Sequence, residues 1–314
     1  MHTPANSAPA AGTEATVARP RRYSHGLNRL IYYRIATVSA AAAPRSIRLP
    51  VARAIGRAIG LRLTEERAHV RSNLARVLPE ASPAVLNAAV GETFANFGAC
   101  FIDLLTLNRQ RPDALLRYIA GVDGEEHIDA VFAAHRGAIL LTAHLGNWEL
   151  GGRMLAQRGG RITHVVLSTE EDPDLERYLR VDNPHLRFVT RRHATSTIGL
   201  LAALRRGELV AMQGDRPTGG RGDIPVPFFG APTCFPIGPF LLARASGVPV
   251  VPAFCRMAQN GRYRITIEPP IWVNSGEEKL GLATMVAVLE RTIRAHPTQW
   301  FNFFDVRGSS RAAS

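Results

Sequence analysis

Ala138-Ile139-Leu140-Leu141-Thr142-Ala143-His144-Leu145-Gly146-Asn147-Trp148-Glu149 is the stretch on which the reading of this 314-residue chain turns. Its first six residues form a short, mostly apolar run bounded by a glycine before and a histidine after, the pattern of a buried strand. A glutamate follows the histidine after four residues. On one continuous helix, positions five apart are rotated by about 140° and do not face each other. The two side chains can therefore meet only if His144 precedes the helix. Gly146 permits such a turn and leaves Glu149 in the first helical turns, where its carboxylate can accept a hydrogen bond from one imidazole nitrogen and fix the tautomer. The other nitrogen is then free to take a proton from an alcohol. A helix N-terminus beside His144 also disfavours imidazolium and keeps the base neutral near physiological pH. No metal is expected, because His-x4-Glu does not match H-E-x-x-H and no third ligand is marked nearby.

Outward from this stretch, beyond Gly121, short apolar runs alternate with helical stretches. The runs are 138–143, 162–167, 186–189, 209–213, 248–254 and 263–267. Such alternation predicts an α/β fold with a mostly parallel central sheet flanked by helices. The run from Ile224 to Ala243 has no charge over a membrane-like length, but Pro225, Pro227, Pro232, Pro236 and Pro239 exclude an ordinary spanning helix. It reads as an apolar loop that opens into a helix near Gly238, and as a candidate lipid-facing surface.

Towards the N-terminus the pattern is helical. Residues 1–22 are rich in Ala, Pro and Thr and read as a disordered tail, as do residues 308–314. From Tyr23 to Leu63 small apolar residues alternate with Arg34, Arg45, Arg48, Arg53, Arg57 and Arg62. The best apolar run here, Ile35 to Pro44, falls short of the roughly 20 residues that span a bilayer. A basic amphipathic helix lying on a membrane fits it, and so does a surface helix of the globular body with solvated arginines. Thr64 is placed to cap a helix that Leu78-Pro79 interrupts. A second helix over 83–107 brings Phe94, Phe97, Phe101 and Leu104 to one face, for packing or to border an acyl groove. The expected organisation is a membrane-proximal helical region, 23–120, packed as one domain with an α/β core, 121–307.

The formal charge of +12, nearly all of its excess arginine, favours phosphate-rich or carboxylate-rich partners. Without zinc-finger spacing, a basic zipper or an aromatic RNA-binding signature, nucleic acid ranks behind an anionic membrane and an acidic carrier protein. Cys100, Cys234 and Cys255 are odd in number and scattered, which supports neither a disulfide framework nor a zinc site.

His144-Leu145-Gly146-Asn147-Trp148-Glu149 resembles the His-x4-Asp/Glu signature of the bacterial lipid A late acyltransferases, within the lysophospholipid acyltransferase superfamily. The similarity extends to the stretches 71–80, 204–210, Gly214-Asp215-Arg216, Val226 to Gly230, 247–252 and His296 to Trp300. The resemblance implies transfer of a fatty acyl chain from an acyl-carrier-protein or coenzyme A thioester to a lipid hydroxyl. It further implies the cytoplasmic face of the bacterial inner membrane, with no cofactor, metal or covalent acyl-enzyme. His144 would be the general base and Glu149 its orienting partner. Asn147, Gly214, Asp215, Arg216, Phe228, Phe229 and Gly230 would bind substrate. Arg216 is a candidate clamp for a phosphate of the acceptor or the pantetheine arm; the alternative for its triplet is a structural turn. A lipid A precursor leads as acceptor. A lysophospholipid, a phosphatidylinositol mannoside or a polyene-type alcohol are the alternatives, and a non-catalytic lipid- or carrier-binding protein is the reading from another class.

Overall fold

The computed structural model describes Thr37 and residues 43–306, apart from 108–109, 111, 158–159, 168–183, 191–193 and 221. The two expected tails and the segment 23–36 lie outside the described residues. Three helices come first: α1 (Arg45–Arg62), α2 (Thr64–Val77) and α3 (Pro83–Leu107). Helix α2 begins at Thr64 itself, with Leu63 as the capping position and no side-chain cap bond, so the capping role expected of Thr64 is not realised. After the short α4 (Pro112–Leu116) the chain alternates. It runs through β1 (Ile119–Asp123), α5 (Glu125–Ala133), β2 (Ala138–Thr142), α6 (Trp148–Gln157), β3 (Thr163–Leu167), β4 (Leu186–Thr190), α7 (Ala194–Arg205) and β5 (Leu209–Gln213). Strands β6 (Asp223–Phe228) and β7 (Ala231–Pro236) lead to α8 (Gly238–Ser246), β8 (Val250–Met257), β9 (Tyr263–Ile267) and α9 (Glu278–Ala295).

The central sheet has the order β1-β9-β8-β2-β5-β3-β4, parallel throughout except where β8 meets β9. Its middle strand is β2, whose residues Ala138 to Leu141 are all buried because both faces are covered. One face packs Ile139, Leu141 and Val250 against α7, α8 and α9; the other packs Leu140, Val251 and Ala253 against α3, α5 and α6. Every run read as a strand from sequence is a strand.

The proline-rich stretch is a correction. Where a loop was expected, β6 and β7 form an antiparallel ribbon with Pro227 opposite Pro232, closed by Phe229 and Gly230 at φ 47° and 77°. A two-stranded ribbon has only edge strands, so prolines can stand where no ladder N–H is needed. The turn, with positive φ at both central residues, matches the twist of its flanking strands.

Helices α1 and α3 approach closely along a seam of small residues. A Cβ on Gly56 would fall 2.3 Å from the Phe94 carbonyl oxygen, and one on Gly98 would fall 2.5 Å from that of Ala52. Among the described residues only α3 is long and apolar enough to cross a membrane. Here it is a packing helix: Val90, Phe94 and Ala99 are buried, and burial of a side chain such as Phe94 contributes on the order of 2 kcal/mol. Four arginines of α1 pair with α3, Arg45 and Arg48 with Asp103 and Arg53 and Arg57 with Glu92, while Arg57 stays half exposed and Arg62 is exposed. The outward face of α1 carries the apolar Ile47, Val51, Ile55 and Leu61, each at least half exposed.

Candidate active site

Strand β2 pairs with β5 in a register that joins Ala138 to Leu209 and Thr142 to Gln213. The Gly214 N–H extends the ladder to the Thr142 carbonyl at 2.9 Å. Two residues beyond the last pair on each strand stand His144 and Asp215. The imidazole Nδ1 lies 2.8 Å from Asp215 Oδ1, and the second carboxylate oxygen accepts the His144 backbone N–H at 3.1 Å. Trp300 closes the set from the far end of the chain, donating its indole N–H to Oδ2 at 3.1 Å.

Asp215 is fully buried and receives three donors, as an ionised carboxylate can. Burial works to raise its carboxyl, yet His144, the Arg216 charge and the Trp300 N–H hold it well below the usual carboxylate range. His144 moves the other way for an imidazole: burial lowers it most, Arg216 lowers it further, and Asp215 offsets only part of this. The pair at neutral pH is a carboxylate and a neutral imidazole. Since the carboxylate can only accept, the proton sits on Nδ1 and the lone pair is on Nε2. Trp148 stands edge-on to the ring, with centroids 5.1 Å apart.

The loop from His144 to Trp148 is held on both sides. Gly146 has φ 61°, and a Cβ there would lie 2.2 Å from the Cys255 carbonyl oxygen, so a side chain is excluded by conformation and by space. Its N–H donates to the Gln299 carbonyl, and the His144 carbonyl accepts from the Phe301 N–H at 2.7 Å. The segment 299–301 thus runs as a strap beside the loop, and it brings the Trp300 indole to Asp215.

A cavity of about 360 Å³ opens beside His144 under α6. Its floor is one face of the sheet, because alternate strand residues such as Leu140, Val165, Phe188, Ala211 and Ala253 line it. The roof includes Gly151 and Gly152; a Cβ on Gly152 would meet nothing within 4 Å. Cys255 is part of the wall, and burial pushes its thiol up to about 12, which keeps it protonated and makes it no nucleophile. An apolar slot of this size, ending at a neutral imidazole, suits one aliphatic chain.

Residues 22–305 match the family described as bacterial lipid A biosynthesis acyltransferase. The chain belongs to that family. It is an enzyme that transfers acyl groups. The phosphatidylinositol mannoside acyltransferase of Mycobacterium tuberculosis is 31% identical over 248 residues, 74% of each chain. The lipid A biosynthesis lauroyltransferase of Escherichia coli K12 is 27% identical over 256 residues, 77% of this chain and 79% of that one.

In this acyltransferase the imidazole hydrogen bond expected of Glu149 is made by Asp215, at Nδ1. Glu149 occupies the first turn of α6 and lines the cavity, attracted to Arg153 one turn along. Asp215 itself was expected to bind substrate, and its oxygens are taken up by His144 and Trp300. Asn147 is buried away from the cavity: its Oδ1 accepts the Leu150 N–H at 3.3 Å and caps α6, while its Nδ2 reaches the Cys100 carbonyl. Gly214 lies against Leu141, where a Cβ would come within 2.9 Å of the side chain. Arg216 lines the cavity beside His144, donates from Nη2 to the Phe301 carbonyl at 2.8 Å and stacks over Phe304. Phe228, Phe229 and Gly230 form the tip of the β6–β7 ribbon and are not among the described residues that line the cavity. Phe228 is fully buried against Phe235 and Trp300, and the Phe229 N–H donates to Glu290. Those contacts are packing contacts behind Trp300.

Proposed function

We propose that this enzyme moves a fatty acyl chain from an acyl-carrier-protein or coenzyme A thioester to a hydroxyl of an anionic glycolipid at the cytoplasmic face of the bacterial inner membrane. The observation that carries this reading is the His144–Asp215 pair at the mouth of an apolar cavity. The acyl chain occupies the cavity and presents its thioester carbonyl beside His144. Nε2 takes the proton from the acceptor hydroxyl as its oxygen attacks that carbonyl, and Asp215 stabilises the imidazolium that forms. The tetrahedral intermediate collapses with cleavage of the C–S bond, and the proton passes from Nε2 to the departing thiolate. Arg216 lies close enough to influence His144, which supports a role in binding an anionic group of the acceptor or the pantetheine arm.

The exposed apolar face of α1 supports contact with a lipid surface. For the acceptor, the 31% identity to the Mycobacterium tuberculosis relative supports a phosphatidylinositol mannoside, with a lipid A precursor as the second reading because the lauroyltransferase, at 27%, stands above the Mycolicibacterium smegmatis mannoside acyltransferase at 25%. The test is a panel. Purified enzyme is given radiolabelled acyl-carrier-protein or coenzyme A thioesters with phosphatidylinositol mannoside, lipid A precursor, lysophospholipid or polyene-type alcohol. Transfer to the mannoside above all others is expected. Preferred transfer to a lysophospholipid or an uncharged alcohol would overturn the glycolipid assignment, and no transfer to any acceptor would overturn the activity.

A further inference from the structure

The His144 loop is also tied to α1, through buried polar groups for which the chemistry above has no use. Asp103 sits on α3 with no exposed surface, a carboxylate among the apolar residues of the helix's C-terminal half. Arg45 grips it from α1, Nε at 3.1 Å from Oδ1 and Nη2 at 2.6 Å from Oδ2, and Arg48 stands 3.5 Å from Oδ1. The Tyr263 hydroxyl, fully buried on β9, donates to Oδ2 at 2.9 Å. That same hydroxyl oxygen accepts from Asn147 Nδ2 at 3.2 Å. Asn147 caps α6, and its N–H is held by the Cys255 carbonyl at 2.7 Å. A second route runs beside the first: Arg53 donates to Asn96 Oδ1 at 2.6 Å, and Asn96 Nδ2 reaches Thr298, which immediately precedes the strap carrying Trp300.

Polar groups buried this deeply cost free energy unless paired, and paired groups rigidify what they join; the buried groups of this network are paired except Nε and Nη2 of Arg48, which Asp103 holds by charge alone. Here the joined parts are the helix with the exposed apolar face and the loop with the base. We infer that Asp103 and Tyr263 are positioning residues that hold the His144–Trp148 loop at a fixed place relative to the outward face of α1. A hydroxyl presented by a lipid surface on which α1 rests then meets Nε2 at the right height. This rests on the reading of the protein as an acyltransferase working at a lipid surface.

Tyr263→Phe removes one hydroxyl and keeps the ring, leaving Asp103 its two arginines and Asn147 the Cys100 carbonyl. With palmitoyl-CoA and phosphatidylinositol mannoside in phosphatidylglycerol vesicles, kcat should fall about tenfold, the scale of a modest misplacement, with KM nearly unchanged. With a short-chain mannoside that dissolves as a monomer, turnover should stay near that of the unaltered enzyme. Hydrogen–deuterium exchange should quicken at Asn147 to Leu150 and not in α9. An equal loss with both acceptors, no loss with either, or unchanged exchange at the loop would overturn the inference. Inactivity of the unaltered enzyme in both formats would instead overturn the proposed use of a coenzyme A donor with a mannoside acceptor, and the exchange comparison would still judge the network.

Discussion

Two carboxylates stand near His144, and they belong to different halves of the site. Asp215 arrives at the end of β5, fully buried, with three donors on its oxygens. Glu149 arrives on the first turn of α6, lines the cavity and faces Arg153. In the proposed mechanism the strand-end half carries the proton chemistry, and the α6 half shapes the space that receives a chain. Strands in register place side chains relative to one another through backbone hydrogen bonds along the whole ladder. A helix that begins after a glycine turn has no such ladder to relate its first residues to the preceding strand. The position of a catalytic partner is therefore better read from the neighbouring strand than from the nearest acidic residue in sequence.

The sharpest break in the strand-end half is His144→Ala. It removes the base but leaves both backbone bonds of His144 in place, so the protein should fold while kcat/KM falls by about 10³-fold or more. Steady-state kinetics with a circular dichroism control would check this. Next in size is Trp300→Phe, which takes one donor from a buried carboxylate. It should cost about 2 kcal/mol of stability and, with Asp215 less firmly held, roughly tenfold in kcat. A urea titration and single-turnover rates measure the two effects separately.

Arg216→Gln probes the same half through pH. The His144 imidazole lies below its ordinary value, so the neutral base persists into mild acid and the acidic limb of kcat/KM should fall below about pH 6.5. Removing the Arg216 charge removes one of the two lowering influences, and the limb should move to higher pH. The smallest effect is expected in the α6 half. Gly152→Val adds bulk to open cavity space without touching His144, so turnover with short acyl chains should hold while the preferred chain shortens. Competition between thioesters of different length reads this directly.

Much of the fold was legible because β2, β3, β4, β5, β8 and β9 are compact apolar runs, and the sheet buries the central ones, β2 and β8, on both faces. Strand β1 was not, since Ile119 to Asp123 is half-exposed and interrupted by Gly121, as an edge strand can be. The β6–β7 ribbon was hidden by prolines that a wider sheet would refuse. His144 announced itself by its place between a buried strand and a glycine turn. Its neutral state was also expected, although burial and Arg216 produce it, where the reading invoked the helix N-terminus. The role of Asp215 was hidden by distance, 71 residues from His144, yet the ladder carries a constant offset: 138 with 209, 142 with 213, then 144 with 215. Trp300 lies in the stretch His296 to Trp300 that the resemblance marks, but nothing there named its partner, because it reaches Asp215 across 85 residues from a strap that follows a 3-10 turn.

The most direct test sets the two carboxylates against each other. Asp215→Asn and Glu149→Gln are isosteric, remove one charge each, and can be assayed side by side with the same thioester and acceptor. The first substitution would offer the imidazole an amide in place of a carboxylate, losing both the tautomer control and the charge that stabilises imidazolium. The result expected is a fall in kcat/KM of about 10³-fold for Asp215→Asn and of about tenfold or less for Glu149→Gln. A loss for Glu149→Gln equal to or greater than that for Asp215→Asn would contradict the assignment of Asp215 as the partner of His144.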